Sequence, residues 1–145
     1  MAKVPPMYEL LAGVARLKKK ADKITELRRH DSKPAVKAIL DLAFNPKFQY
    51  TLPEGEPPYT PAEDMLDNAG GLYRDYRKFT YFMDHPKNNL HQIKRETLFI
   101  QLLESVHPKD AELCIAIKDK TLPFKGITKS LVIEAYPGLI DEQNN

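Results

Sequence analysis

Five residues near the C-terminus, Lys125-Gly126-Ile127-Thr128-Lys129, have the composition of an anion site. Glycine followed by threonine and an apolar run reads as a turn into a threonine-capped helix from Thr128 to Tyr136. The first N–H groups of a helix lack intrahelical partners and favour negative charge. Lys120, Lys125 and Lys129 surround that start. A basic helix start of this kind suits a nucleic-acid phosphate. The sequence therefore predicts phosphate contacts from the backbone N–H groups of Gly126, Ile127 and Thr128, with Lys125 and Lys129 supplying charge.

Basic residues gather in two further places. Nine Lys/Arg lie between Arg16 and Lys37, against Asp22, Glu26 and Asp31. Arg16, Lys18, Lys19, Lys20 and Lys23 form one group; Arg28, Arg29, Lys33 and Lys37 form the next. Lys118 and Lys120 precede the C-terminal turn. If these groups share a face, they track a phosphate backbone, with Lys19, Lys20, Arg28, Arg29 and Lys120 as the secondary contacts. Lysines and helix ends read phosphates rather than base edges, so the binding expected is tolerant of sequence. The segment from Thr51 to Gly70 is the opposite: Glu54, Glu56, Glu63, Asp64 and Asp67, with no basic residue.

Other chemistry finds little support. His30, His85, His91 and His107 are scattered, and none pairs with another His or with Cys114 at a metal-ligand spacing. His107, before Pro108, reads as a helix cap. Cys114 sits among Leu113, Ile115 and Ile117, which predicts a buried, inert thiol. No glycine-rich phosphate loop is present. The adjacent acids Glu63-Asp64 do not converge on a site by themselves, and no nucleophile, base and oxyanion donor occur together. The expectation is a non-enzyme with no cofactor, no metal and no small-molecule substrate.

The elements that must position these residues read as helices. At 145 residues the chain is expected to form one domain, able to bury a core without disulfides or metal. One cysteine excludes an internal disulfide. No apolar run approaches the ~18–20 residues of a membrane span, and Met1–Pro6 lacks the apolar core of a signal peptide, so a cytoplasmic location is expected. Leu10, Leu11, Val14 and Leu17 recur at helical spacing after Pro5-Pro6. A helix follows from about Asp22, its expected N-cap, to Arg29, with Ile24 and Leu27 inward. Ser32 is the expected cap of a third, with Pro34 in its first turn and Val36, Ile39, Leu40 and Ala43 on one face. Five prolines between Pro46 and Pro61 predict an irregular segment, pinned over the helices by Phe48, Tyr50, Leu52 and Tyr59.

A fourth helix is expected from Leu72 to Met83, with Leu72, Tyr76, Phe79 and Met83 on one face, stopped by Pro86 and Asn88-Asn89. A fifth is expected from Leu90 to Val106, with Ile93, Leu98, Ile100, Leu102 and Leu103 inward. The sixth starts at His107-Pro108, with Asp110 and Glu112 near its positive end, Lys118 and Lys120 near its negative end, and Leu113, Cys114 and Ile117 inward. The fold expected is all-α: an orthogonal single-domain bundle of six or seven helices with a long, ordered, proline-rich loop.

The order of these parts resembles the N-terminal DNA-binding domain of the ATP-dependent DNA ligases of T-even-type phages. Tyr8–Leu17, Ala21–His30 and Pro34–Phe44, followed by Phe48-Gln49-Tyr50, match its opening helices and aromatic turn. Glu112–Lys118, Asp119, Gly126 and Ile127–Ile140, ending Pro137-Gly138-Leu139-Ile140, match its closing turn and helix. The Pro-Glu-Gly-Glu-Pro-Pro-Tyr and His-Pro-Lys-Asp-Ala-Glu-Leu segments are similar to those of small tailed-phage proteins. The proline-rich middle and Thr121-Leu122-Pro123-Phe124 depart from the ligase pattern. No Lys-x-Asp-Gly adenylation motif is present, so the resemblance implies a binding module without a catalytic domain, acting on double-stranded DNA in host-cell cytoplasm during replication or repair. A second expectation is a protein-interaction module on the same scaffold. Its acidic, aromatic Glu54–Asp67 segment would dock on a basic partner, such as a phage or host replication protein.

Overall fold

Pro6 is extended and α1 follows at Met7–Ala15, its buried face formed by Met7, Leu10, Leu11 and Val14. These fall at i, i+3, i+4 and i+7, the spacing of one helix face. The computed structural model describes residues 5–62, 70–83 and 90–140. Glu63, Asp64, Asp67, His85, Pro86 and Asn88-Asn89 lie outside the described residues.

The remaining helices are α2 (Lys20–Arg29), α3 (Pro34–Phe44), α4 (Gly71–Asp75), a 3-10 helix (Tyr76–Phe82), α5 (Gln92–Ser105), α6 (Pro108–Asp119) and α7 (Lys129–Ala135). The described residues contain one isolated antiparallel bridge, Tyr50 to Met83, and no longer strand. The fold is an all-α helical bundle. Helix α6 contacts α1, α3 and α5, and it buries Leu113, Cys114 and Ile117 completely. One apolar cluster extends from Met7 to Ile140. Edge-on rings run through it from Tyr50 to Phe79, Phe82 and Phe99, with centroids 5.1–6.0 Å apart. That geometry suits the ring quadrupole.

Local signals hold in several places. Pro34 and Pro108 occupy first turns, where a missing N–H costs nothing. His107 accepts from Lys109 N at 3.1 Å, and Thr128 Oγ1 from Leu131 N at 3.1 Å. Elsewhere the structure departs from the sequence reading. Helix α2 begins two residues before Asp22, from Lys19, and α3 from Lys33 rather than Ser32; neither has a side-chain cap. The expected fourth helix is split, α-helical to Asp75 and 3-10 beyond it.

Ile93 is 82% exposed, whereas Arg95 and Phe99 of the same helix are buried. At 100° per residue Ile93 lies about 120° around the helix from Phe99. Arg95 is held inside by carbonyls of Tyr81 (Nε, 3.0 Å) and Leu90 (Nη2, 3.3 Å).

Asp110 is fully buried at the start of α6, and its carboxylate accepts from Met7 N (3.1 Å) and Tyr8 N (2.7 Å). It therefore caps α1 from across the molecule and lies at two helix N-termini at once. Burial nevertheless pushes its carboxyl up to about 6, against the pull of those two N–H groups.

Candidate nucleic-acid interface

Helices α2 and α7 pack side by side, and the basic residues of α2 meet the C-terminal segment there. Lys20 Nζ lies 2.8 Å from Glu134 Oε1. Lys23 Nζ donates to the Gly126 carbonyl at 3.0 Å. Arg28 donates from Nε to the Ala135 carbonyl and from Nη2 to the Glu134 carbonyl, both at 3.0 Å, closing the C-terminal end of α7. A cation bonded to a carbonyl keeps its full charge. Lys23 and Arg28 thus hold α7 in place and still add to the local positive potential. Lys18, Lys19 and Lys125 are exposed around them, and Lys129 is half-buried. The bonds of Lys20, Lys23 and Arg28 set the basic stretch of α2, which includes Lys19, against the segment that carries Lys125 and Lys129.

The turn itself differs from a phosphate cradle. A Cβ on Gly126 would stand 2.5 Å from the Ala15 carbonyl oxygen and 2.9 Å from Lys23 Nζ. Glycine is needed there because the chain passes against the end of α1. Ile127 is buried, and its N–H is spent on the Phe124 carbonyl at 3.1 Å. Thr128 Oγ1 takes the Leu131 N–H. Helix α7 has only seven residues. Of the three predicted N–H donors, that of Ile127 is engaged within the turn, and Lys125 and Lys129 place side-chain charge on either side of it.

Two of the expected secondary contacts have other roles. Arg29 is paired with Glu26 at 2.5 Å, which holds that carboxyl below its usual value. Lys120, the C-cap of α6 with φ 58°, reaches back to the Leu42 and Asn45 carbonyls at 3.1 and 3.3 Å. Its ammonium lies 5.1 Å from the Tyr50 ring centre, and burial lowers its pKa. Lys120 thus closes the end of α3.

Lys118 goes further. Its side chain is buried, paired with Asp119, and donates to the Pro53 (2.8 Å) and Gly55 (3.0 Å) carbonyls. Asp119 accepts from Gly55 N at 3.1 Å. The pair grips the proline-rich segment, which is irregular and ordered as expected. Phe48, Tyr50, Leu52 and Tyr59 pack against the core, and Tyr50 Oη donates to the Leu42 carbonyl at 2.8 Å. The sequence contains no local signal for the burial of Lys118, because its carbonyl acceptors lie more than sixty residues away.

Cys114 is completely buried, and burial pushes its thiol up, away from the reactive thiolate. Among the described residues no group of three His, Cys, Asp or Glu is placed to hold a metal ion. No described helix is long and apolar enough to cross a membrane.

The model of a family of unknown function, DUF6433, matches residues 10–123. The chain belongs to this family. The part matched to DUF6433 includes α2, the proline-rich segment and Lys118–Lys120, and it ends before Lys125. No curated protein matches the chain.

Proposed function

We propose that the α2–α7 corner binds double-stranded DNA through its phosphate backbone, without catalysis. The observation that carries this reading is the meeting of two sequence-distant basic groups, Lys19, Lys20, Lys23 and Arg28 with Lys125 and Lys129, through the bonds of Lys20, Lys23 and Arg28 to the α7 segment. Among the described residues Lys20 pairs with Glu134, whereas Lys19, Lys23, Arg28 and Lys125 form no ion pair with a carboxylate. Exposed lysine heads such as Lys19 and Lys125 suit phosphates and give little base readout. The resemblance to phage ligase DNA-binding domains agrees with a module that follows duplex backbone. Titration of a labelled duplex at two salt concentrations, with wild type and Lys125→Glu/Lys129→Glu, tests it. The salt slope falls by about 0.9 for each phosphate that the variant no longer neutralises.

The second reading, a protein-interaction module, is favoured by a different surface, the acidic groove beside the proline-rich segment.

A further inference from the structure

The proline-rich segment and α5 leave a groove of about 360 Å³ between them. Leu52, Pro53, Pro57 and Pro58 form one wall, and Phe99 and Ile100 the other. Glu54, Glu56 and Glu96 stand around it. The one cation beneath it, Lys118, is already paired with Asp119. Neither Glu54 nor Glu56 forms an ion pair among the described residues, whereas Glu96 accepts from Gln92 at 2.9 Å. The groove is therefore apolar inside and anionic at its edge. Its walls are also fixed in advance. Lys118 and Asp119 clamp residues 53–55, Gln92 donates to the Thr51 carbonyl at 2.8 Å, and Thr60 N donates to Glu104 at 2.8 Å.

Along α5 the apolar surface continues outward. Ile93 and Ile100 are seven residues apart, about 20° around an ideal helix, with Glu96 beside them. Ile93 is 82% exposed, the largest departure of an apolar side chain from its expected burial. Local rules fail most often where a surface has another use.

We propose that this groove docks a basic, apolar segment of a partner protein, one in which a Leu, Ile or Met is flanked by Lys or Arg. The apolar residue enters between the prolines and Phe99–Ile100, and Ile93 extends the contact. The flanking basic stems lie along the walls and place their heads beside Glu54, Glu56 and Glu96, as long cationic side chains do on apolar surfaces. Nucleic acid is the wrong occupant, because three carboxylates repel phosphate. The groove is independent of the α2–α7 corner, and its failure leaves the DNA reading untouched.

The probe is a short acetylated and amidated peptide alternating Leu and Lys, with a Leu-Glu peptide as control. Amide shifts are mapped on the intact chain, and affinity is measured for wild type and for Glu54→Lys/Glu56→Lys/Glu96→Lys. Glu54 and Glu56 are exposed and Glu96 half-buried, and the melting temperature of the variant checks that it folds. The expected result is binding of the Leu-Lys peptide alone, with shifts confined to residues 52–58 and 93–100 and affinity about tenfold weaker in the triple variant. Ile93→Ser weakens binding without changing its charge selectivity. Equal binding by the triple variant, shifts centred elsewhere, or no binding overturns the proposal. Sedimentation supplies the remaining outcome: self-association of wild type that the triple variant abolishes would make a second copy the occupant and overturn the assignment to a partner.

Discussion

Two lysine groups that look alike in the sequence do different work. Lys118 and Lys120 flank Asp119 at the end of α6; Lys118 is buried on the Pro53 and Gly55 carbonyls, and Lys120, though exposed, is tied to those of Leu42 and Asn45. Lys19, Lys125 and their neighbours at the α2–α7 corner remain at the surface. Between the two groups stand Lys23 and Arg28, which bond to carbonyls of the C-terminal segment from partly exposed positions. The difference lies in what the backbone offers. An irregular proline-rich segment and a helix C-terminus present carbonyls with no internal donor, and a nearby ammonium satisfies them. The outer surface of a solvated helix pair offers far fewer. Positive charge in a sequence therefore marks a ligand surface only after such acceptors have taken their share.

The largest effect should come from the buried group. Lys118→Met leaves Asp119 and two carbonyls without their donor, and should cost about 3 kcal/mol in urea unfolding. It should leave duplex affinity unchanged. A destabilisation under about 1 kcal/mol, or a loss of DNA binding in folded protein, would merge the two groups again.

Asp110 sharpens the contrast with an anion. Its carboxyl is raised from 3.8 to about 6 by burial. The native state therefore holds the proton more tightly than the unfolded chain, and this group's contribution is fully present below about pH 4. It declines as pH rises through about 6, a change of order 2–3 kcal/mol. The stability difference between wild type and Asp110→Asn should fall across that window and be flat above it. A difference that grows with pH would mean that the two N–H groups outweigh burial.

These residues also show what could be read in advance. The helices with one dominant apolar stripe, α1 and α3, were legible from Leu10, Leu11 and Val14 and from Val36, Ile39 and Leu40. So were the caps His107 and Thr128, whose bonds span two or three residues. The same locality explains the misses. Asp110 reads as an ordinary first-turn acid until α1 arrives from more than a hundred residues away. In α5 apolar residues surround the axis, so periodicity could not choose Phe99 over Ile93. Gly126 signals a turn in either reading; only the position of Ala15 shows why a side chain is excluded.

A smaller effect separates the corner's scaffold from its charge. Thr128→Ala removes the cap of α7 and should cost about 1 kcal/mol in the same unfolding assay. Duplex affinity at a temperature where the variant is folded should be nearly that of wild type, because Thr128 positions the segment and carries no charge. A tenfold fall in affinity would instead place its hydroxyl on the phosphate.

The central claim is that the α2–α7 corner is a phosphate-binding surface while Lys118 and Lys120 are structural. The most direct measurement is the slope of log affinity against log salt for a short duplex, in wild type and in Lys125→Glu/Lys129→Glu. Lys125 is exposed and Lys129 half-buried, and urea unfolding of the double variant checks that it remains folded. Wild type should bind with salt sensitivity, and the double variant should show a slope smaller by about 0.9 for each phosphate left without its lysine. Binding by the double variant as tight as wild type at low salt, or no salt-sensitive binding by wild type, would contradict the claim.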